Sequence, residues 1–106
     1  MTTVREIFEG MTETFIKEKA TGMNAVIQFD ITGEGGGQWH ADIVDGELSV
    51  VEGLHASPQL TLTAEAQDYI DISTGALNGQ LAFMTGRLKA SGDLALAMKM
   101  QSIFRQ

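Results

Sequence analysis

At 106 residues the chain has the length of one domain, and 43% hydrophobic with 20% charged residues is an ordinary globular balance. The formal net charge of −7 argues against nucleic acid, whose affinity rests on Lys and Arg contacts to phosphate, and against more than transient contact with anionic membranes. The absence of cysteine excludes disulfides and thiolate chemistry, no apolar run approaches the roughly 18 residues of a membrane span, and Arg5, Glu6 and Glu9 do not fit a signal peptide.

Val4 to Ala20 reads as one helix. Val4, Ile7, Phe8, Met11 and Phe15 fall on one stripe at spacings of three and four, with Ile16 at its edge, while Glu6, Glu9, Glu13 and Lys17 take much of the rest. Thr2 or Thr3 can cap it, Glu6 completing a capping box with Thr3, and Gly22 ends it. Asn24 to Thr32 predicts a strand with Ala25, Ile27, Phe29 and Ile31 on one face and Asn24, Gln28 and Asp30 mostly on the other. After the turn Gly33 to Gly37, Gln38 to Val44 predicts a second strand, with Trp39, Ala41 and Ile43 opposite Gln38, His40 and Asp42. Asp45-Gly46 is a hairpin signal, since both residues tolerate the positive φ of a type I′ turn, and Glu47 to Glu52 follows as the third strand. Gly53 to Pro58 reads as a loop and Leu60 to Thr63 as a short strand, after which Thr63 caps a helix from about Ala64 to Thr74.

The stretch from Leu77 to Phe104 is the most apolar. Asn78 can cap a helix of roughly two turns carrying Leu81, Ala82, Phe83 and Met84, and Gly86 stops it. Arg87 to Ser91 alternates as a half-buried strand, with Leu88 and Ala90 on one face. Asp93 then favours the start of a helix from about Leu94 to Phe104, in which Lys99, Gln101 and Ser102 leave only a narrow polar strip. The order of elements predicts an α+β domain with helices over one face of a mostly antiparallel sheet.

Motifs for catalysis are weak. The glycines of 33–37 lie between two strands, not between a strand and a helix, so they fit a hairpin better than a phosphate loop. His40 and His55, the two histidines, read as solvated surface residues, and Asp42 near His40 does not complete a zinc set. No serine sits in a G-x-S-x-G elbow, and the acidic pairs Asp42/Asp45 and Asp68/Asp71 fall on wet faces. Neither catalytic residues nor a metal or cofactor is expected. Met84, Met98 and Met100 among apolar neighbours fit a ligand-lined cavity and a plain core equally well, since methionine adapts to irregular partners in both.

Several stretches carry a resemblance: Phe29-Asp30-Ile31 before the glycine turn and Trp39, Asp45-Gly46 after Ile43, and Pro58-Gln59-Leu60-Thr61-Leu62-Thr63. Gly75-Ala76-Leu77-Asn78, Ala82-Phe83-Met84-Thr85-Gly86-Arg87-Leu88-Lys89 and Gly92-Asp93-Leu94-Ala95-Leu96-Ala97 complete it. In this order and spacing they resemble the sterol carrier protein 2 family over nearly the whole chain. The resemblance implies a five-stranded sheet covered on one face by helices, with an apolar tunnel between the layers. It further implies binding of fatty acids, fatty acyl-CoA, sterols or other lipids without catalysis. The ending Arg105-Gln106 departs from the Ser-Lys-Leu type address of the peroxisomal members, so the expectation is a stand-alone cytoplasmic protein.

The expected function is therefore non-enzymatic binding or transfer of an apolar ligand. The expected lining is Phe8, Met11, Phe15, Phe83, Met84, Leu96, Met100, Ile103 and Phe104, over a sheet floor of Ile27, Phe29 and Trp39. The rival expectation is an accessory or dimerisation module whose C-terminal helix covers a protein partner. Accessory proteins of isoprenoid quinone assembly use a similar domain, which makes a quinone precursor a sub-case.

Overall fold

The computed structural model describes residues 2–104, the Gln101 side chain excepted, so the Arg105-Gln106 ending lies outside the described residues. The elements run α1 (Val4–Glu9), α2 (Met11–Thr14), a 3-10 turn (Lys17–Ala20), β1 (Ala25–Thr32), β2 (Gly37–Val44), β3 (Glu47–Glu52), β4 (Leu60–Glu65), α3 (Ala66–Thr74), α4 (Gly79–Met84), β5 (Leu88–Gly92) and α5 (Leu94–Ile103). The strands form one sheet in the order β3-β2-β1-β4-β5. β1 pairs parallel with β4 and every other pair is antiparallel, so the sheet is mixed. The alternation of β1 and β2 sends Ala25, Ile27, Phe29, Ile31, Trp39, Ala41 and Ile43 into the core, as their period of two predicts.

The predicted hairpin forms at Asp45-Gly46, with φ of 53° and 81° and Val44 opposite Glu47. Gly46 also sits in close quarters, so a side chain there would be both strained by the positive φ and crowded. A Cβ there would stand 3.0 Å from the Ala20 carbonyl oxygen. The hairpin is thereby seated against the 3-10 turn, where the Gly46 N–H donates to the Met23 carbonyl at 3.0 Å.

The first helix is not continuous. The Thr3 side chain caps α1 through the Glu6 N–H, as the sequence predicts, but Gly10 closes that helix and the chain becomes extended at Phe15. Two effects act there. Glycine is a poor helix former, and a long-range bridge competes for the backbone at the far end. Phe15 pairs with Phe104 in an isolated antiparallel bridge, their rings 5.5 Å apart, and the Ile16 N–H donates to the Ile103 carbonyl at 2.6 Å. A second difference lies at Thr63. Strand β4 runs on to Glu65, and pairing with β1 and β5 takes the backbone that a helix from Ala64 would need.

A third difference concerns the sheet face turned away from the helices. Gln28 and His40 are 3% and 9% exposed, not solvated. The segment 53–59, which carries the chain from edge strand β3 across β2 and β1 to β4, covers them. The Gln28 amide donates to the Gly53 carbonyl at 3.1 Å and to the Trp39 carbonyl at 3.0 Å, and its oxygen accepts from the His55 N–H at 2.8 Å. The His55 ring meets the His40 ring edge-on at 5.2 Å. The polar identity of that face was readable, but the cover that dries it is a tertiary feature.

Candidate functional site

On the helical side, the two halves of the sheet are packed differently. Over β1 and β2 the layers meet in a solid aromatic cluster. Phe8 stacks on Trp39 and on Tyr69, with ring centres 5.0 and 5.3 Å apart, and meets the edge of Phe29 at 5.0 Å. The Arg5 guanidinium lies 5.1 Å from the Trp39 ring centre and covers the cluster from outside.

Over β4 and β5 the layers do not close, and a cavity of about 840 Å³ remains. Leu62, Leu88, Ala90 and Phe29 form its sheet side. Ile7, Gly10, Met11 and Thr14 bound it from α1–α2; Tyr69, Ile72 and Ser73 from α3; Gln80, Phe83 and Met84 from α4; and Leu94, Ala97, Met98, Met100 and Phe104 from α5 and its end. Gly10, Gly79, Ala90 and Ala97 all lie on this wall. Side chains that small cannot fill the space between two layers, which is a local reason for the hollow. The α4 and α5 rim is turned outward, with Met84 and Met98 74% and 76% exposed. Asn78 and Asp93 hold the two rim helices in place by accepting from the Leu81 and Leu96 N–H groups at 3.0 and 3.2 Å.

Of the residues expected to line a ligand site, the structure brings Met11, Phe29, Phe83, Met84, Met100 and Phe104 to the cavity. It places Phe8 and Trp39 in the aromatic cluster, Phe15 at the bridge to Phe104, and Ile27 and Ile103 in the fully buried core. Leu96 faces a smaller hollow of about 260 Å³ beside Met23, Gln59 and Lys99. Leu62, Tyr69, Leu88 and Ala90 also reach the cavity; Leu88 and Ala90 were legible as one face of a half-buried strand, but nothing in such spacing distinguishes facing a hollow from facing a core. Leu94 and Met98 carried a signal in the excess apolarity of the last helix.

The polar groups of the wall are few. Thr2, Glu6, Glu13 and Thr14 contribute from the N-terminal segment, and Tyr69, Ser73, Thr74 and Gln80 from α3 and α4. Burial pushes the Tyr69 hydroxyl well above its ordinary value, and a hydrogen bond with the Ser73 side chain pulls it part of the way back. The phenol is therefore a neutral donor and acceptor at any ordinary pH.

The histidine cluster lies across the sheet from this cavity. His40 Nδ1 and Asp42 Oδ1 are 2.6 Å apart, and His55 Nδ1 accepts from the Ser57 N–H at 2.9 Å, which fixes the His55 ring proton on Nε2. Among the described residues, no group of three or more His, Cys, Asp or Glu could hold a metal ion, and no helix is long and apolar enough to cross a membrane.

A family model for the SCP-2 sterol transfer family matches residues 6–105. Hydroxysteroid dehydrogenase-like protein 2 of Mus musculus is 30% identical over 104 residues, covering 97% of this chain and 21% of that protein. Its counterpart from Xenopus tropicalis is 29% identical, again over 97% of this chain and over 25% of its own length. The chain thus spans about a quarter or less of the curated relatives it matches. Among solved structures, the palmitated SCP2L2 of Aedes aegypti superposes with a TM-score of 0.79 at 28% identity, covering 99% of this chain and 96% of that one.

Proposed function

The chain belongs to the SCP-2 sterol transfer family, and we propose that it binds an elongated apolar lipid in the cavity over β4 and β5 and does no chemistry on it. The observation that carries this reading is the cavity itself. Its volume of about 840 Å³ falls within the range of roughly 300–1,000 Å³ usual for ligand sites, and its walls are mainly Leu, Ile, Met, Phe and Ala. The driving force is burial of hydrocarbon, about 0.8 kcal/mol for each CH₂ removed from water. Met11, Phe29, Leu62, Leu88, Met100 and Phe104 would take the chain, and Phe83, Met84, Leu94 and Met98 would stand at the mouth. The similarity to a structure described as palmitated supports a ligand with a single acyl chain. The non-enzymatic part of the reading is supported by the placement of the His40, Asp42 and His55 cluster on the opposite face of the sheet.

Organic extraction of the purified protein followed by mass spectrometry tests the proposal. Lipid co-purifying in a stoichiometric amount supports it. A clean extract, together with a melting temperature unmoved by any lipid added back, would refute it. The exposed Leu94 and Met98 on α5 favour a second reading, in which that helix face covers a protein partner or a second copy. Gel filtration over a range of concentrations separates the two, because a lipid binder without a partner stays monomeric when its ligand is added.

A further inference from the structure

Of the six methionines in the sequence, four lie on the wall of the large cavity: Met11, Met84, Met98 and Met100. They differ in access. Met11 is only 7% exposed and Met100 is half-buried, whereas Met84 on α4 and Met98 on α5 are the outward pair of the rim. Met23 is half-buried beside the smaller hollow. With no cysteine in the chain, thioethers are its sole sulfur.

Packing does not account for the outward pair. Methionine suits cores because it adapts to irregular gaps, but side chains so exposed fill no gap. Leucine has similar helix propensity and bulk and would form the same rim. What distinguishes methionine there is its chemistry, since a peroxide converts it reversibly to a polar sulfoxide. The sulfur lone pair attacks one oxygen of hydrogen peroxide, and an S–O bond forms as the O–O bond breaks. The departing hydroxide takes the proton of the transferred hydroxyl and leaves as water. The sulfur loses two electrons and the peroxide gains them. Phe83 precedes Met84, Leu94 lies one turn before Met98, and both line the same wall. A hydrocarbon chain held there would lie against a sulfoxide oxygen that has shed its water and finds no donor in Phe83 or Leu94.

We propose that Met84 and Met98 form an oxidation switch at the rim, in which hydrogen peroxide converts both thioethers to sulfoxides and the cavity thereby loses affinity for lipid. This rests on the lipid-binding reading of the cavity and adds to it a modification site and a condition for release. Because the pair lies outside the core, the switch acts on the ligand and leaves the fold intact.

To test it, delipidated protein is treated with hydrogen peroxide, mapped by peptide mass spectrometry and titrated with palmitate by displacement of a fluorescent fatty acid. Met84 and Met98 should each gain an oxygen before Met11, Met23 and Met100 do. Palmitate affinity should then fall at least about tenfold, the cost of drying a polar group that has no partner. The melting temperature should hardly move, and methionine sulfoxide reductases for both epimers should restore the affinity. Met84→Leu combined with Met98→Leu removes the switch: whatever its own affinity, this variant should keep it through the same treatment. Met23→Leu should stay as sensitive as the wild type. Palmitate added ahead of the peroxide should slow oxidation of the pair in proportion to the fraction occupied, because a seated chain covers both sulfurs. Oxidation spread evenly over buried and exposed methionines, unchanged affinity once both are oxidised, or an equal loss in the double leucine variant overturns the proposal. A loss of affinity that comes only with unfolding overturns it as well. Untreated protein that binds no palmitate would instead sink the lipid-binding reading on which it rests.

Discussion

Replacing Ala97 by phenylalanine asks directly whether the space over β4 and β5 is empty in the lipid-free protein. Ala97 lies on the inner face of α5 and, with Ala90 of β5, lines the cavity of about 840 Å³. A phenyl ring placed there enters the hollow and does not have to displace a packed neighbour. Burying it is worth about 1.5–3 kcal/mol, less roughly 0.5–1 kcal/mol of side-chain entropy, a net stabilisation of about 1–2 kcal/mol. For a domain of this size each kcal/mol moves the melting temperature by about 4–8 °C, so a rise of at least about 4 °C is expected by calorimetry on delipidated protein. On the proposed reading the same ring occupies room that the lipid would need, so affinity measured by displacement of a fluorescent lipid should fall by an order of magnitude or more. Stability and binding would then move in opposite directions. Ile103→Ala on the same helix is the control: Ile103 is fully buried away from the cavity, and truncation should cost about 2–5 kcal/mol. A melting temperature several degrees lower for Ala97→Phe would mean overpacking, which costs about 1–3 kcal/mol, and would show that there is no hollow to fill.

Three further outcomes follow from the geometry. Gln28→Leu strands the Gly53 carbonyl and the His55 N–H under the crossover segment and should cost about 2–4 kcal/mol in urea unfolding. Lipid affinity should stay within about twofold, because the clamp lies across the sheet from the cavity, and a larger loss would show that the two faces are coupled. Met100→Glu puts a carboxylate on the half-buried inner side of α5 and should weaken lipid binding at least about tenfold while lowering the unfolding midpoint less, and an unchanged affinity would remove α5 from the site. The hydrogen bond from Lys17 to Glu47 at 2.6 Å, followed by the Glu47 charge, raises the Lys17 pKa above its ordinary 10.5. Its contribution to stability is therefore complete below 10.5 and is lost as pH rises through the higher folded value. The stability gap between the wild type and Lys17→Met should close in strongly alkaline buffer, and a gap that stays constant with pH would assign the effect to something other than the ammonium.

What could be read from the sequence were properties of single elements. Alternation in Ala25–Ile31 and Trp39–Ile43 showed which side chains enter the core, and Asp45-Gly46, Asn78 and Asp93 marked their turn and caps through local chemistry. Properties that depend on two distant segments were hidden. The stripe from Val4 to Phe15 reads as one helix, because nothing local reveals that Phe15 leaves it to pair with Phe104. His40 is polar and lies on the polar face, yet it is buried because residues 53–59 cross over it. The cavity is hidden in the same way. Leu88, Ala90 and Ala97 each look like core residues, and only their meeting across the layers leaves a hollow between them.

The uneven packing of the helical layer also divides the molecule by rigidity. The cluster of Phe8, Phe29, Trp39 and Tyr69 sits on central strands that are paired on both sides, so the amides of those strands are expected to open only with global unfolding. α4 buries a single side chain, Ala82, and packs beside the free edge of β5. Its amides should exchange with deuterium through a small local opening, orders of magnitude sooner than those of β1. Under the proposed lipid-binding function, passage of a long molecule into the cavity would need only this wall to part, without drawing on the energy that holds the fold together. A filled cavity should slow exchange in α4 and leave β1 unaltered, because occupancy supplies α4 with the contacts that the fold alone does not give it.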